Sequence, residues 1–369
     1  MLSNFEMPRR AFIIELNNFT GEHKAMRVGL LTGGGDCPGL NAVIGAVVRK
    51  GILHYGDEFV GFIEGWRGVL ENTTVPLTLE SVDGIITKGG TILRTSRTNI
   101  RKIEGGLDKC VTTLKANKLD ALIAIGGDDT QSVTNALIEK GVPGVGVPKT
   151  IDNDLNGTDV CFGFDTAVSI ATEAIDRLHT TAESHNRVIV CEVMGRDAGW
   201  IALTAGVAGN AHVVLVPEKP IDLDHVCKLL KYNHDHGKKY GIVVVAEGAK
   251  LPSGGQATVG TKVDQFGHAQ LSGVAAALAE AIEKKTGYET RSVNLGHTQR
   301  GGTPTAYDRM LATRYGLAAI DLVHKGEFGR LVVLHGTKIE SIPLAEAISK
   351  NRTVDDSFLE ILDGLEPKV

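Results

Sequence analysis

The chain has 369 residues, enough for two domains at roughly 150 residues each, and 45 of them are glycine, about 12% against ~7% in an average protein. With only 11 prolines, no Gly-X-Y period and 42% hydrophobic residues, the surplus is neither collagen-like nor linker-like. A net charge of -5 lacks the basic footprint of general nucleic-acid binding, five scattered cysteines without a CxxC pair argue for reduced thiols over a disulfide framework or zinc site, and no apolar run approaches the ~18 residues of a membrane span.

Residues 1–25 read as an extension ahead of the fold. Pro8-Arg9-Arg10 resembles the start of a twin-arginine export signal, but only four apolar residues follow before Glu15, so no signal core exists and a flexible or packed extension is expected; the reduced thiols are what point to a cytoplasmic chain. From Met26 onward, Val/Ile-rich runs at 28–31, 59–63, 121–125, 144–147, 188–193, 213–216, 242–246 and 331–334 predict strands buried on both faces. Helical patterns at 41–54, 130–140, 167–183, 223–236, 272–285 and 307–324 alternate with them. The alternation predicts an α/β fold of mostly parallel sheets covered by helices on both sides.

Glycine clusters follow the strands, where open α/β sheets bind their ligands. Thr32-Gly33-Gly34-Gly35-Asp36-Cys37-Pro38-Gly39-Leu40-Asn41 closes the first strand and opens a helix. Its backbone N–H groups can wrap an anion, although a tight turn would also use such glycines. It is neither a Walker A loop nor a GxGxxG fingerprint; the Walker-like stretch 255–262 has Thr before Lys and no strand-to-helix context. Gly126-Gly127-Asp128-Asp129-Thr130 repeats the strand–loop–helix arrangement with two carboxylates, suited to a bound Mg²⁺ or, more simply, to a helix N-terminus.

Pro148-Lys149-Thr150-Ile151-Asp152-Asn153-Asp154 places a cation, a hydroxyl and two carboxylates after the next strand. One carboxylate can act as a general base and the other as its electrostatic partner or a metal contact; an Asx-turn is the structural alternative. Together these loops supply the parts that phosphoryl transfer needs: a phosphate cradle, a metal carboxylate, a cationic clamp and a base. Downstream, Arg187, Arg196, Arg291 and Arg300 could clamp a phosphate, although singly such arginines are usually surface ion pairs.

The ordered motifs GGGDCPGLN, GGTILRTSRT, GGDDT, PKTIDND, MGR, AEG and LGHTQRGG resemble the 6-phosphofructokinase family from about Arg27 to Leu334. The resemblance implies two Rossmann-like αβα domains with the active site in the cleft between them. It assigns residues 26–155 plus roughly 270–320 to a larger donor domain, and 156–270 plus part of the C-terminal segment to a smaller fructose 6-phosphate domain. It implies phosphorylation of the 1-hydroxyl of fructose 6-phosphate, with Mg²⁺ at Asp128 and Asp152 as base beside Asp154. Gly34, Arg97, Asp129, Thr130 and Lys149 fall at the donor. Thr150, Met194, Gly195, Arg196, Glu247, His297 and Arg300 fall at the sugar phosphate, with Arg196 and Lys149 also serving the transferring group. Arg187 and Arg291 match family arginines supplied by a neighbouring subunit, which implies a homodimer or homotetramer.

Two positions bear on the donor. ATP-using members of the family carry Gly after the GGD aspartate, and many carry Gly before TIDND; pyrophosphate-using members carry Asp and Lys, as this chain does at Asp129 and Lys149. A carboxylate at Asp129 meets the α-phosphate of ATP but not pyrophosphate. Two unit charges ~4 Å apart interact at about 1 kcal/mol in water and about 4 kcal/mol at an effective dielectric of 20. That is on the order of ten- to a thousandfold in affinity. Pyrophosphate is therefore the expected donor, with an ATP-dependent enzyme or a non-catalytic sugar-phosphate-binding subunit as the alternatives. An NAD or lipid kinase would share a GGDG-type loop but not PKTIDND or LGHTQRGG. Arg94 stands where ATP-using relatives usually have Gly; it could contact phosphate or face solvent.

Overall fold

Two sheets, both led by parallel strands, carry the chain. They are seen in a computed structural model that describes residues 24–251, 258–263, 269–271 and 273–369. The expected extension 1–25 thus lies almost wholly outside the described residues, as do 255–257 of the Walker-like stretch.

In chain order, the first part comprises β1 (Arg27–Thr32), α1 (Leu40–Lys50), β2 (Glu58–Phe62), α2 (Trp66–Glu71), β3 (Thr74–Leu77), α3 (Gly106–Ala116), β4 (Ala121–Gly126), α4 (Asp128–Glu139) and β5 (Gly144–Pro148). The middle comprises α5 (Phe164–His185), β6 (Val188–Val193), α6 (Trp200–Ala208), β7 (Val213–Leu215), α7 (Leu223–Asp235), β8 (Gly241–Ala246), β9 (Thr258–Val263) and β10 (Ala269–Leu271). The last part comprises α8 (Val274–Thr286), β11 (Thr290–Asn294), α9 (Ala306–His324), β12 (Arg330–His335), β13 (Lys338–Pro343), α10 (Leu344–Ala347) and α11 (Asp356–Leu365).

All eight expected strands form. The seven-stranded sheet runs β13-β12-β5-β4-β1-β2-β3, and the four-stranded sheet runs β11-β6-β8-β7. Among the described residues of these two sheets only β3 and β13, at the two edges of the larger sheet, pair antiparallel to their neighbours, and β9 and β10 form a separate antiparallel pair. β4, β6 and β8 are buried along their whole length, which explains their unbroken apolar sequence.

Sheet membership divides the segment 270–320 differently from the expected domain split. Val274, Ala275, Leu278, Ala279 and Ile282 of α8 bury against Val188, Val190, Val243 and Val245 of the smaller sheet, and β11 pairs with β6. In contrast, Leu311, Ala312, Tyr315 and Ile320 of α9 join Val43 and Val47 of α1 in the main core, and β12 pairs with β5. α8 packs on the smaller sheet and α9 in the main core, so the chain crosses back between 294 and 306 and its C-terminal strands complete the larger sheet.

The 22-residue helix α5 spans the junction. Its buried Ala167, Ala171 and Ile175 belong to one core containing residues of both sheets, such as Val145 and Ile242. Gly39 precedes α1 at φ 106, and a Cβ there would lie 2.7 Å from the Phe162 ring, so glycine alone fits this entry to the helix. Among the described residues no helix is long and apolar enough to cross a membrane.

Candidate active site

The carboxyl ends of β1, β4 and β5 meet those of β6, β8 and β11 through the motif loops. The glycine loop after β1 is fixed by its backbone: Gly33 N–H donates to the Ile125 carbonyl at 2.9 Å, and Gly34 N–H to that of Ser96 at 3.4 Å. Two cations lie against it. The buried Lys149 ammonium donates to the Gly35 carbonyl at 2.5 Å, and Arg300 Nη1 to that of Asp36 at 3.2 Å. A Cβ on Gly35 would stand 2.4 Å from Arg300 Nη1, so a side chain here would displace the Arg300 guanidinium from its present position. Burial lowers the Lys149 pKa, an effect opposed by the Asp152 and Asp36 carboxylates.

Asp128 and Asp129 occupy the first turn of α4, where the helix dipole favours negative charge. Thr130 is buried beneath the glycine loop, its Oγ1 2.5 Å from where a Gly33 Cβ would sit. Gln131, which the sequence reading missed, donates from Nε2 to the carbonyls of Ala124, Gly126 and Val147 at 3.0–3.1 Å. It thereby ties the ends of β4 and β5 together.

After β5, Thr150 Oγ1 accepts the Asp152 N–H at 3.0 Å. Asn153 adopts φ 54, which projects Asp152 and Asp154 from a tight bend, and its Oδ1 accepts the Cys161 N–H at 2.8 Å. Asp152 is 5% exposed and its Oδ1 has no hydrogen-bond partner. A buried carboxylate oxygen without a donor is costly, and such atoms concentrate at functional sites. The Asp154 carboxyl is pushed up to about 7 by burial, then by the charges of Asp152 and Asp128, against the pull of Arg196.

The opposite wall comes from the smaller sheet. Met194 N–H donates to Gln299 Oε1, and Arg196 N–H to Glu247 Oε1, both at 3.3 Å. Gly195 and Arg196 both have positive φ, 140 and 53. Burial alone would lower the Arg196 pKa, but the carboxylates of Asp152, Asp128, Asp154 and Asp129 raise it. Burial, followed by Asp152, pushes the Glu247 carboxyl up to about 7.

The turn Gly296–Arg300 contributes the exposed His297 and the buried Gln299 and Arg300. Gln299 and Glu192 also escaped the sequence reading. Glu192 accepts Gly273 N–H at 3.1 Å, Ala275 N–H at 2.9 Å and Asn294 Nδ2 at 2.6 Å, fastening α8 and β11 beside the MGR loop.

Arg97 is exposed on the loop that meets the Gly34 backbone through Ser96. Arg94 lies at φ 56, and its largely exposed guanidinium stands 3.9 Å from Glu64 Oε1, so its partner here is a carboxylate. Arg187 and Arg291 are not brought to this cleft. They sit where β6 and β11 begin, sharing Glu289 Oε1 at 3.0 and 2.7 Å. The six residues of β6 separate Arg187 from Met194, about 20 Å at ~3.3 Å per residue.

Four carboxylates, those of Asp128, Asp129, Asp152 and Asp154, thus act on Arg196, and Asp152 also acts on Lys149. This excess of negative charge, with the unpartnered Asp152 Oδ1, fits a site that takes a divalent cation. No group of three His, Cys, Asp or Glu side chains among the described residues closes on a metal. Mg²⁺ needs none, because it is usually held by one or two carboxylates, water and substrate phosphates.

The Phosphofructokinase family profile matches residues 27–323. The chain is 59% identical over 331 residues to a pyrophosphate--fructose 6-phosphate 1-phosphotransferase of Amycolatopsis mediterranei, covering 89% of this chain and 96% of that one. It is 53% identical over 333 residues to an ATP-dependent 6-phosphofructokinase of Mycobacterium tuberculosis, covering 90% and 97%. Among solved structures it is similar to phosphofructokinase from Saccharomyces cerevisiae, with a TM-score of 0.76 and 30% identity over 88% of this chain and 45% of that one.

Proposed function

The chain belongs to the phosphofructokinase family, and we propose that it transfers a phosphoryl group from pyrophosphate to the 1-hydroxyl of fructose 6-phosphate, giving fructose 1,6-bisphosphate and phosphate. The observation that carries this reading is the buried Asp152 carboxylate with its unpartnered Oδ1, held among Lys149, Arg196 and Asp154.

In the forward direction the C1 oxygen attacks one phosphorus of pyrophosphate. Its proton passes to Asp152, the bond from that phosphorus to the bridging oxygen breaks, and the other phosphate departs. The Gly34 loop, Arg97, Thr130 and Lys149 hold the donor. Arg196 spreads its charge over the transferring group, a stabilisation that is strongest where water is excluded. Asp154 keeps the loop charge adjustable, and Thr150 holds the Asp152 backbone. Met194, Gly195, Glu247, His297 and Arg300 hold the sugar phosphate. Mg²⁺ held at Asp128 would neutralise phosphate charge. Ester formation and pyrophosphate cleavage lie close in energy, so the reaction runs both ways.

Donor choice rests on Asp129 and Lys149. The names of the relatives include both donors at 59% and 53% identity, so overall similarity does not choose between them. A carboxylate in the first turn of α4 repels the additional α-phosphate of ATP, and the Lys149 ammonium compensates for the missing nucleoside contacts as a point charge on phosphate. Steady-state turnover with the magnesium salt of each donor tests the reading.

Arg187 and Arg291, at the far end of their strands and joined by Glu289, reach the 6-phosphate of a neighbouring copy in a homodimer or homotetramer. The described cysteines are free and buried, as suits a reducing cytoplasm.

A further inference from the structure

We propose that Arg352 is a positioning residue for the phosphoryl-transfer centre, locking the loop that carries Asp152 to the loop that carries Arg196. The inference rests on the reading of those two residues given above.

Arg352 lies in the segment between β13 and α11 and touches both loops at once. Its N–H donates to the Asp154 carbonyl at 2.7 Å, and its Nη1 to the Asn153 carbonyl at 3.4 Å. On the other side its guanidinium lies 4.2 Å from the centre of the Trp200 ring, and Trp200 Nε1 donates to the Arg352 carbonyl at 3.2 Å. Trp200 is buried and opens α6, four positions beyond Arg196.

The flanking residues repeat the pattern. Asn351 bridges to Leu155, at the end of the Asp152 loop. Val354 N–H and Gly199 N–H both donate to Glu218 Oε1 at 2.9 Å, beside the Arg196 loop. Phe358 of α11 packs edge-on to Trp200 at 5.1 Å. A short stretch of chain therefore grips one loop from each sheet.

What it holds is not self-supporting. Asn153 and Arg196 both adopt the left-handed conformation that side chains disfavour, and such conformations persist only where surroundings enforce them. A misplacement of ~1 Å between reacting groups can cost on the order of 100-fold in rate. Arg352 itself makes none of the contacts assigned to substrate or metal, so its effect should fall on kcat and not on binding. A cation over a buried indole is worth more than one in water, so a lysine should retain part of the function.

The test measures R352A and R352K against wild type with whichever donor salt the wild type uses, alongside amide hydrogen exchange. R352A loses the Nη1 bond to Asn153 and the guanidinium contact with Trp200 but keeps both main-chain bonds; it should lower kcat about 10- to 100-fold with both KM values within about threefold, R352K should recover part of the rate, and R352A should speed exchange in residues 152–155 and 196–200 together. Wild-type kcat in R352A, a loss that R352K does not repair, or exchange altered in neither loop or in only one overturns the proposal. If R352A does not fold, W200F removes the Nε1 donor and shrinks the aromatic face under the Arg352 guanidinium, and it carries the same expectations for kcat, KM and exchange. A wild type that uses only ATP overturns the donor assignment without touching this comparison, and a wild type with no turnover leaves hydrogen exchange to decide.

Discussion

Burial first, and the Asp152 carboxylate second, hold the Asp154 carboxyl up to about 7. An aspartate raised in the folded state binds its proton more tightly there than in the unfolded chain. Its contribution to stability is complete below the unfolded pKa near 4 and is lost as pH rises towards about 7. Glu247 behaves in the same way. Thermal unfolding of wild type and Asp154→Asn at pH 5 and pH 8 should show the variant gaining several degrees on wild type at the higher pH. An equal Tm difference at both values contradicts the raised Asp154 pKa.

Asp152→Ser removes the proposed base and leaves the phosphate contacts in place. Removing a general base typically costs 10²–10⁴-fold, so kcat should fall by roughly that factor with little change in either KM. Near-wild-type turnover would remove Asp152 from the mechanism.

Much of this was open to a reader of the sequence. β4, β6 and β8 announce themselves as unbroken Val/Ile runs because both of their faces are buried. β3, β11 and β13 do not, because each is an edge strand: Pro76 interrupts β3, and β11 and β13 are largely exposed and polar. The placement of β11 beside β6 rests on pairing between residues about 100 positions apart, which no local pattern encodes. The same holds within the site. The phosphate loops are legible because glycine and charge cluster locally, whereas Gln131, Glu192, Gln299 and Arg352 are single polar residues whose partners depend on the completed fold. Arg352 and Asn153 are 199 residues apart.

Replacing Asp129 with glycine takes one negative charge and its bulk from the first turn of α4. Asp129→Gly should bind ATP on the order of ten- to a thousandfold more tightly than wild type, while pyrophosphate still binds. Calorimetric titration with magnesium ATP reads this directly, and unchanged ATP affinity contradicts the proposed exclusion.

A site completed by a neighbour predicts complementation. Asp152→Ser and Arg187→Ala should each be nearly inactive alone. After mixed refolding, half of randomly formed dimers are hybrids with one intact site each, so about one quarter of sites should recover. Activity no higher than that of the two separate variants would place Arg187 outside the site.

Pyrophosphate, not ATP, is the proposed phosphoryl donor. Initial rates with fructose 6-phosphate, Mg²⁺ and either pyrophosphate or ATP, repeated after chelation of the metal, measure it. The predicted result is turnover with pyrophosphate, kcat/KM for ATP at least about tenfold lower, and loss of both rates without metal. Efficient turnover with ATP and none with pyrophosphate would contradict it.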